Sequence, residues 1–397
     1  LLAVCDSGVV GAALVGGPLL RLTRETVGRM QACGVGVVGI ATAGDAEHLR
    51  RLGVDAVLTS DASPGDIAAA LRSADRSGRS EAAAYSTPGS AGDDGPTSVT
   101  AAPVSEMQPI DTSPHDERGA LIAVWGPVGA PGRTSVAVMM AEELAAAGRA
   151  VRLVDADTYG PSISQLLGLP GDDVPGLAAA ARSAHHGRLD AAGLVRHLRS
   201  VDDGLEVMTG LARADRWPEL RASSIKIVLD LLTTAPFTTV ADIGFGIEND
   251  EELSFDTLAP RRHAAALMVL ERADVVVATA AADPVSVRRL VHGLDQLREV
   301  SGDGVIEVVL NRVPARGGRR LAQDVAELLG EHGHRVRVHP VVDDVKSFTV
   351  WRAHGGSFRA SAPRSPALDD VRSLLDVVDA GHDYARPSRR WSGRRAG

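Results

Sequence analysis

Ala120-Leu121-Ile122-Ala123-Val124-Trp125-Gly126-Pro127-Val128-Gly129-Ala130-Pro131-Gly132-Arg133-Thr134-Ser135 reads as a buried strand, a glycine-rich turn and the start of a helix. The strand is apolar on both faces, as a strand covered on both sides must be. The helix runs from Thr134 to Ala147, where Gly148 stops it. Glycines in such a turn let backbone N–H groups approach phosphates, and the helix N-terminus adds partial positive charge. Thr134 stands where a hydroxyl would ligate Mg²⁺, and Ser135 follows it. Against the general phosphate-loop pattern, five residues separate Gly126 from Gly132, and Arg133 stands in place of lysine. Arg keeps the charge but replaces a point cation by a planar fork. An αβ turn that merely uses glycines is the competing reading.

The same αβ rhythm continues on the C-terminal side. Strands are expected at Val151–Val154, Leu205–Met208, Thr238–Ala241, Val275–Ala278, Val305–Leu310 and Arg335–Val338. Helices are expected at about 217–232, 263–271, 284–298, 317–331 and 366–379. This predicts one α/β domain over 119–380, with a doubly wound, mostly parallel sheet. Residues 1–73 repeat the rhythm on a smaller scale. Strands are expected at 12–15, 35–40 and 54–58; helices at 22–33 and 45–52, ended by Gly34 and Gly53; and a last helix from Pro64 to about Ser73. Between the two, residues 74–118 are rich in Ser, Ala, Gly, Pro, Asp and Thr, a composition that predicts a disordered linker. The tail 381–397 carries Arg386, Arg389, Arg390, Arg394 and Arg395 around Trp391. A solubilising end is the simplest reading, and a weak contact with an anionic membrane or nucleic acid is the sharper one.

Composition limits the alternatives. The 397 residues have a net charge of −9, which argues against a protein that coats nucleic acid. Two cysteines, Cys5 and Cys33, exclude a disulfide framework and a Cys-based zinc site. Lys226 and Lys346 are the only lysines. No signal peptide or membrane span is expected, which points to the cytoplasm, with peripheral contact at the inner face of a membrane or septum left open. His185-His186, His197, His332, His334 and His339 lack the helical spacing of a zinc hydrolase, and no Gly-x-Ser-x-Gly elbow occurs.

Three further strand ends carry polar residues: Asp155-Ala156-Asp157, Asp242-Ile243-Gly244-Phe245-Gly246 and Asn311-Arg312. In an open parallel sheet all would meet the glycine loop at the carboxyl edge. Asp242 would hold Mg²⁺ through water, and Gly246 would offer its N–H to a terminal phosphate. Asn311 alone reads equally well as a turn or capping residue. Asp343-Asp344 reads as the start of a helix, and Arg261-Arg262 as a solvated turn.

In this order the segments resemble the deviant-Walker P-loop ATPases of the MinD/ParA family. With Arg216-Trp217-Pro218-Glu219-Leu220, Ala259-Pro260-Arg261-Arg262 and the run Ala273 to Pro284, they look like actinobacterial CpaE-like or septum-site-determining proteins. The resemblance covers about 119–380. It implies ATP/ADP and Mg²⁺ as cofactors. Gly129, Ala130, Pro131, Gly132, Arg133, Thr134 and Ser135 then form the phosphate loop, Gly246 contacts the terminal phosphate and Asn311 the base. Thr134 and Asp242 serve the metal, and Asp157 positions the attacking water, with Arg133 at the catalytic lysine position. Val128 falls where the family's signature lysine reaches the partner protomer's nucleotide. Without lysines at 128 and 133, at most a slow ATPase is expected. The resemblance also implies a receiver-like N-terminal domain. Gly16-Gly17 and Ala41-Thr42 stand where a phosphoacceptor Asp is expected, and Thr59-Ser60 where a lysine is expected, so the domain reads as a non-phosphorylated interaction module. The implied function is spatial regulation at a septum, pilus or secretion assembly or cell pole. Protein partners and a nucleotide-linked homodimer go with it. The rivals are a pseudo-ATPase scaffold and, more weakly, a chromosome-partitioning DNA-associated ATPase.

Overall fold

The computed structural model describes residues 10–16, 22–83, 119–169, 176–234, 236–248, 260–302 and 304–381. The chain divides into two compact units, Leu1–Asp116 and Glu117–Gly397.

The first unit holds three parallel strands in the order β1-β2-β3: Ala12–Gly16, Gly36–Ala41 and Ala56–Thr59. Between and after them come α1 (Arg24–Ala32), α2 (Ala43–Leu52) and α3 (Pro64–Ala83). Thr23 caps α1 by accepting the Thr26 N–H. Gly34 and Gly53 follow α1 and α2 in the left-handed region, as their stop positions require. Val15, Val27, Met30, Val37, Leu49 and Leu52 form the core. Helix α3 does not end near Ser73; it continues through Ala83, ten residues into the stretch read as linker. Its Ala, Arg and Ser residues are compatible with a helix as well as with a linker, so composition alone misplaced this end. Residues 84–118 and the arginine-rich tail from 382 lie outside the described residues.

The second unit is an eight-stranded sheet in the order β11-β10-β9-β4-β8-β5-β7-β6. Its strands are β4 (Leu121–Trp125), β5 (Val151–Ala156), β6 (Arg199–Asp202), β7 (Leu205–Met208), β8 (Thr238–Ile243), β9 (Val275–Ala281), β10 (Val305–Val313) and β11 (Arg337–Val342). All neighbours pair in parallel except β6 with β7, an antiparallel edge missing from the sequence reading. The helices are α4 (Arg133–Ala146), α5 (Ile163–Leu166), α6 (Gly176–His185), α7 (Ala191–Val195), α8 (Ala222–Leu232), α9 (Ala264–Arg272), α10 (Pro284–Val300), α11 (Gly318–Glu331), α12 (Val345–His354), α13 (Phe358–Ser361) and α14 (Pro366–Gly381). The single helix expected at 217–232 is two elements. Pro218 lies in a short 3₁₀ turn, Ala214–Glu219, and α8 restarts after the extended Arg221.

Each sheet face buries its own core. On one face Leu177, Ile225, Val269, Leu290 and Val325 cover Leu121, Ala123 and Val308. On the other, Val136 to Leu144 of α4 pack with Trp351, Phe358, Leu368 and Leu374 against Ile122, Val124, Leu153 and Val240. β4 sits between β9 and β8, so the turn after it opens at the middle of the sheet's carboxyl edge. That is where ligands bind in doubly wound folds.

Candidate functional site

The turn leaving β4 owes its shape to two glycines in the left-handed region, Gly129 (φ 75°) and Gly132 (φ 92°). Gly132 is the N-cap of α4, and its carbonyl accepts the Val136 N–H at 2.8 Å. A Cβ on Gly132 would stand 2.0 Å from Asn311 Nδ2, so only glycine admits that contact. Asn311, at the end of β10, donates from Nδ2 to the Pro131 carbonyl at 3.1 Å. Its Oδ1 accepts the Arg312 N–H at 2.9 Å. Arg312 has φ 59° and sits where the β10–β11 register shifts. It is the only non-glycine with positive φ among the described residues, and such strain gathers at ligand sites.

Arg133 does not point into open space. Its Nη1 donates to the Gly126 carbonyl at 3.2 Å, and its Nη2 pairs with Asp157 Oδ2 at 3.2 Å. The other Asp157 oxygen accepts the N–H groups of Tyr159 (2.8 Å) and Gly160 (3.1 Å). Asp155 is structural: its Oδ2 accepts from the N–H groups of Ser162 and Ile163, at 2.9 and 3.0 Å.

Asp155 and Asp242 are register partners on β5 and β8, each 1% exposed. Burial, then the neighbouring Asp157 charge, pushes the Asp155 carboxyl up to about 7. Burial and Asp155 raise Asp242 well above the ordinary carboxylate range, while the Thr134 hydroxyl and Arg133 pull it down. The Thr134 hydroxyl is nearby, but neither Asp242 oxygen has a partner in hydrogen-bond geometry. A buried orphaned carboxylate beside a helix-capping loop fits a divalent cation shared with Thr134. Among the described residues no three His, Cys, Asp or Glu side chains frame a metal by themselves, so phosphate and water oxygens would complete its shell.

Gly246 lies under His263: a Cβ there would stand 2.3 Å from Nε2. The His263 Nε2 meets the Tyr159 hydroxyl at 2.8 Å, and its Nδ1 meets the Glu248 carbonyl at 3.0 Å. Tyr159 stacks on Phe245 at 4.5 Å, and the Arg262 guanidinium lies 4.0 Å over the Tyr159 ring. Arg262 is therefore part of this wall and not a solvated turn.

A cavity of about 260 Å³ opens along the loop. It is lined by Ala130, Gly132, Arg133, Thr134 and Ser135 of the loop and α4, by Asn311, Arg312 and Asp343, and by Leu166, Phe348 and Arg352. So Ala130, Gly132, Arg133, Thr134, Ser135 and Asn311 of the predicted residues meet in one cavity, while Gly129 and Pro131 are not among its lining residues. Asp157 and Asp242 lie beside Arg133, and neither they nor Gly246 are among its lining residues.

Residues 119–184 match the ParA family model, described as a NUBPL iron-transfer P-loop NTPase. Among solved structures, a ParA family ATPase from Chlorobium tepidum TLS is 18% identical with a TM-score of 0.52, covering 66% of this chain and 98% of its own. The cell division ATPase MinD of Pyrococcus furiosus is also 18% identical, with a TM-score of 0.51, covering 66% of this chain and all of its own. The septum site-determining protein MinD of Pyrococcus horikoshii OT3, solved with Mg-ADP, is 16% identical with a TM-score of 0.50 over 68% of this chain and 99% of its own. No curated protein matches the chain. The second unit has the MinD/ParA P-loop NTPase fold.

On that fold, three features escaped the sequence reading. Arg289 of α10 donates to the Val128 carbonyl at 3.0 Å, placing a cation at the loop tip where residue 128 itself has none. His263 and Tyr159 cover Gly246. Phe348 and Arg352 of α12 complete the cavity. None had a local signal; each is far in sequence from what it touches. Arg182 of α6 pairs with Glu219. Asp344 does cap α12, accepting the Ser347 N–H at 3.2 Å.

Proposed function

We propose that the chain is a nucleotide-binding spatial regulator of MinD/ParA type. In this reading it binds Mg-ATP or Mg-ADP in the cavity along the loop and hydrolyses ATP slowly or not at all. The observation that carries it is the orphaned Asp242 carboxylate, 1% exposed, behind Thr134 at the N-terminus of α4. A bound Mg²⁺ would supply charge neutralisation for the phosphates. Gly129 to Ser135 would hold the phosphates by backbone N–H groups, Thr134 and Asp242 would hold the cation, and Asn311 would face the base. Asp157 would orient water once released from Arg133. The solved relatives include one described with Mg-ADP, which supports nucleotide as the ligand class.

The finer reading is a CpaE-like protein acting at a septum, pilus or secretion assembly or pole. A receiver-like first unit would select protein partners, and a nucleotide-linked homodimer and peripheral membrane contact would follow from the cytoplasmic side. The three parallel strands of that unit fit a receiver-like sheet. No helix of the described residues is long and apolar enough to cross a membrane. The test is calorimetric titration of Mg-ATP and Mg-ADP into the full chain, with Asp242→Ala as control. Saturable binding of either nucleotide, weakened at least tenfold in the variant, supports the reading. A second reading, a pseudo-ATPase scaffold, is favoured by the Arg133–Asp157 pair, which occupies both groups that hydrolysis needs. Absence of binding at millimolar nucleotide would select it.

A further inference from the structure

We infer that Glu142 is a positioning residue for the cavity. From within α4 it fixes α12, whose Phe348 and Arg352 line the cavity together with Thr134 and Ser135 in the first turn of α4. Its effect on affinity rests on the nucleotide-binding reading; its hold on α12 does not.

Glu142 and Glu143 lie in α4 at 6% exposure each, beside the apolar residues that pack on the sheet. Buried carboxylates are costly unless they are paired, and these two are paired to the C-terminal segment. Glu142 takes the first two N–H groups of α13: Oε1 accepts from Phe358 at 3.1 Å and Oε2 from Arg359 at 2.8 Å. Glu143 is held by the guanidiniums of Arg359 and of Arg372 on α14. Phe358 is fully buried, stacks on Phe348 at 4.7 Å and meets Trp351 edge-on at 5.2 Å. Trp351 is the one buried residue among the ten of α12, and its Nε1 donates to the Gly356 carbonyl at 2.7 Å. α12 therefore buries little by itself. Asp344 holds its start, and its later turns are held through Phe358. Gly355 and Gly356, both at positive φ (67° and 90°), join α12 to α13 and offer no side chain that could do so. Glu142 stands about 12 Å along α4 from Thr134. One helix thus carries a lining of the cavity in its first turn and the anchor of another lining further along.

The test is hydrogen exchange and calorimetry on the full chain. Glu142→Gln keeps the shape but leaves one acceptor oxygen for two N–H groups. Exchange over residues 345–361 is expected to quicken about tenfold, while exchange in β4 and β8 stays as it was. Mg-ADP affinity is expected to fall about fivefold. Arg149→Gln is the control, because it breaks a different ion pair to α14, with Asp379, and leaves α13 untouched. Phe358→Leu cuts the next link and should reproduce Glu142→Gln; it decides the question should Glu142→Gln not melt cooperatively. Three results each overturn the inference and leave the nucleotide-binding reading standing: unchanged exchange over 345–361, equal effects of Glu142→Gln and Arg149→Gln, or quicker exchange with Mg-ADP affinity intact. Should the unmodified chain bind no Mg-ADP, that reading falls, and the exchange result alone upholds or overturns the anchoring of α12.

Discussion

Arg133 Nη2 lies 3.2 Å from Asp157 Oδ2, so the cation at the loop's lysine position is directed at the acid of the neighbouring strand end. Arg133→Ala would leave the Asp157 side chain, 5% exposed, with its two backbone donors and no counter-charge. Breaking a buried pair costs several kcal/mol when nothing else holds the charge; with two donors retained, about 1–3 kcal/mol is expected. Urea denaturation of the second unit's transition measures it. A loss under about 0.5 kcal/mol would mean the pair contributes little to the fold.

Stability should fall as pH rises from about 4 to 7 because of the Asp155–Asp242 pair. Both carboxyls are raised above the ordinary value of 3.8. The folded state therefore binds more protons than the unfolded state across that window, and the slope of unfolding free energy against pH is negative. The contribution is fully present below the unfolded value and is lost as pH passes the folded one, about 7 for Asp155. Asp242→Asn removes one of the coupled acids and should stabilise the protein at pH 8 by about 1–2 kcal/mol, with little effect near pH 4. Thermal melts of both proteins at pH 4, 6 and 8 would show a flatter profile in the variant. Parallel profiles would refute the coupling.

Gly132→Ala should be among the most damaging single changes in the loop. The added Cβ would stand 2.0 Å from Asn311 Nδ2, and φ is 92°. A loss of about 2–4 kcal/mol is expected, because the strained backbone and the displaced amide act together. Asn311→Ala removes the amide alone and orphans the Pro131 carbonyl, with an expected loss of about 1–2 kcal/mol. Chemical denaturation of both should rank glycine above asparagine; the reverse order would show that the loop yields more easily than its geometry suggests.

Arg312 offers a test of strain. At φ 59°, Arg312→Gly should leave stability within about 1 kcal/mol of the parent, since relief of the left-handed penalty offsets glycine's entropy. Arg312→Val, β-branched at the same position, should cost about 2 kcal/mol or more. If valine is tolerated as well as glycine, the bulge relaxes and Arg312 is not held there by its surroundings.

The sequence made some features legible because they are local. The apolar run 121–125, the glycine turn and the stops at Gly34, Gly53 and Gly148 each carry their signal within a few residues, and all three stops adopt positive φ. Thr134, Asp157, Asp242 and Asn311 could be placed near one another because parallel strands end on the same edge. Short elements were not legible. Helices α5, α7 and α13 have four or five residues, too few for a period to show, and β6 is an exposed four-residue edge. Within the site, what Arg133, His263 and Arg289 touch is set by packing between distant strands and helices, which no local pattern encodes.

The residues around the cavity and behind it come from the ends of β4, β5, β8 and β10, near positions 125, 155, 242 and 311. In chain order they span seven of the sheet's eight strands, from β4 to β10. Chain closure over such separations is slow, and it must be nearly complete before any ligand contact exists. A partly folded chain would thus gain nothing from ligand, and the whole benefit would fall on the finished sheet: about 2.7 kcal/mol at a hundredfold excess over Kd. Ligand would then slow unfolding without hastening folding, acting as a latch on the completed molecule rather than a guide to it.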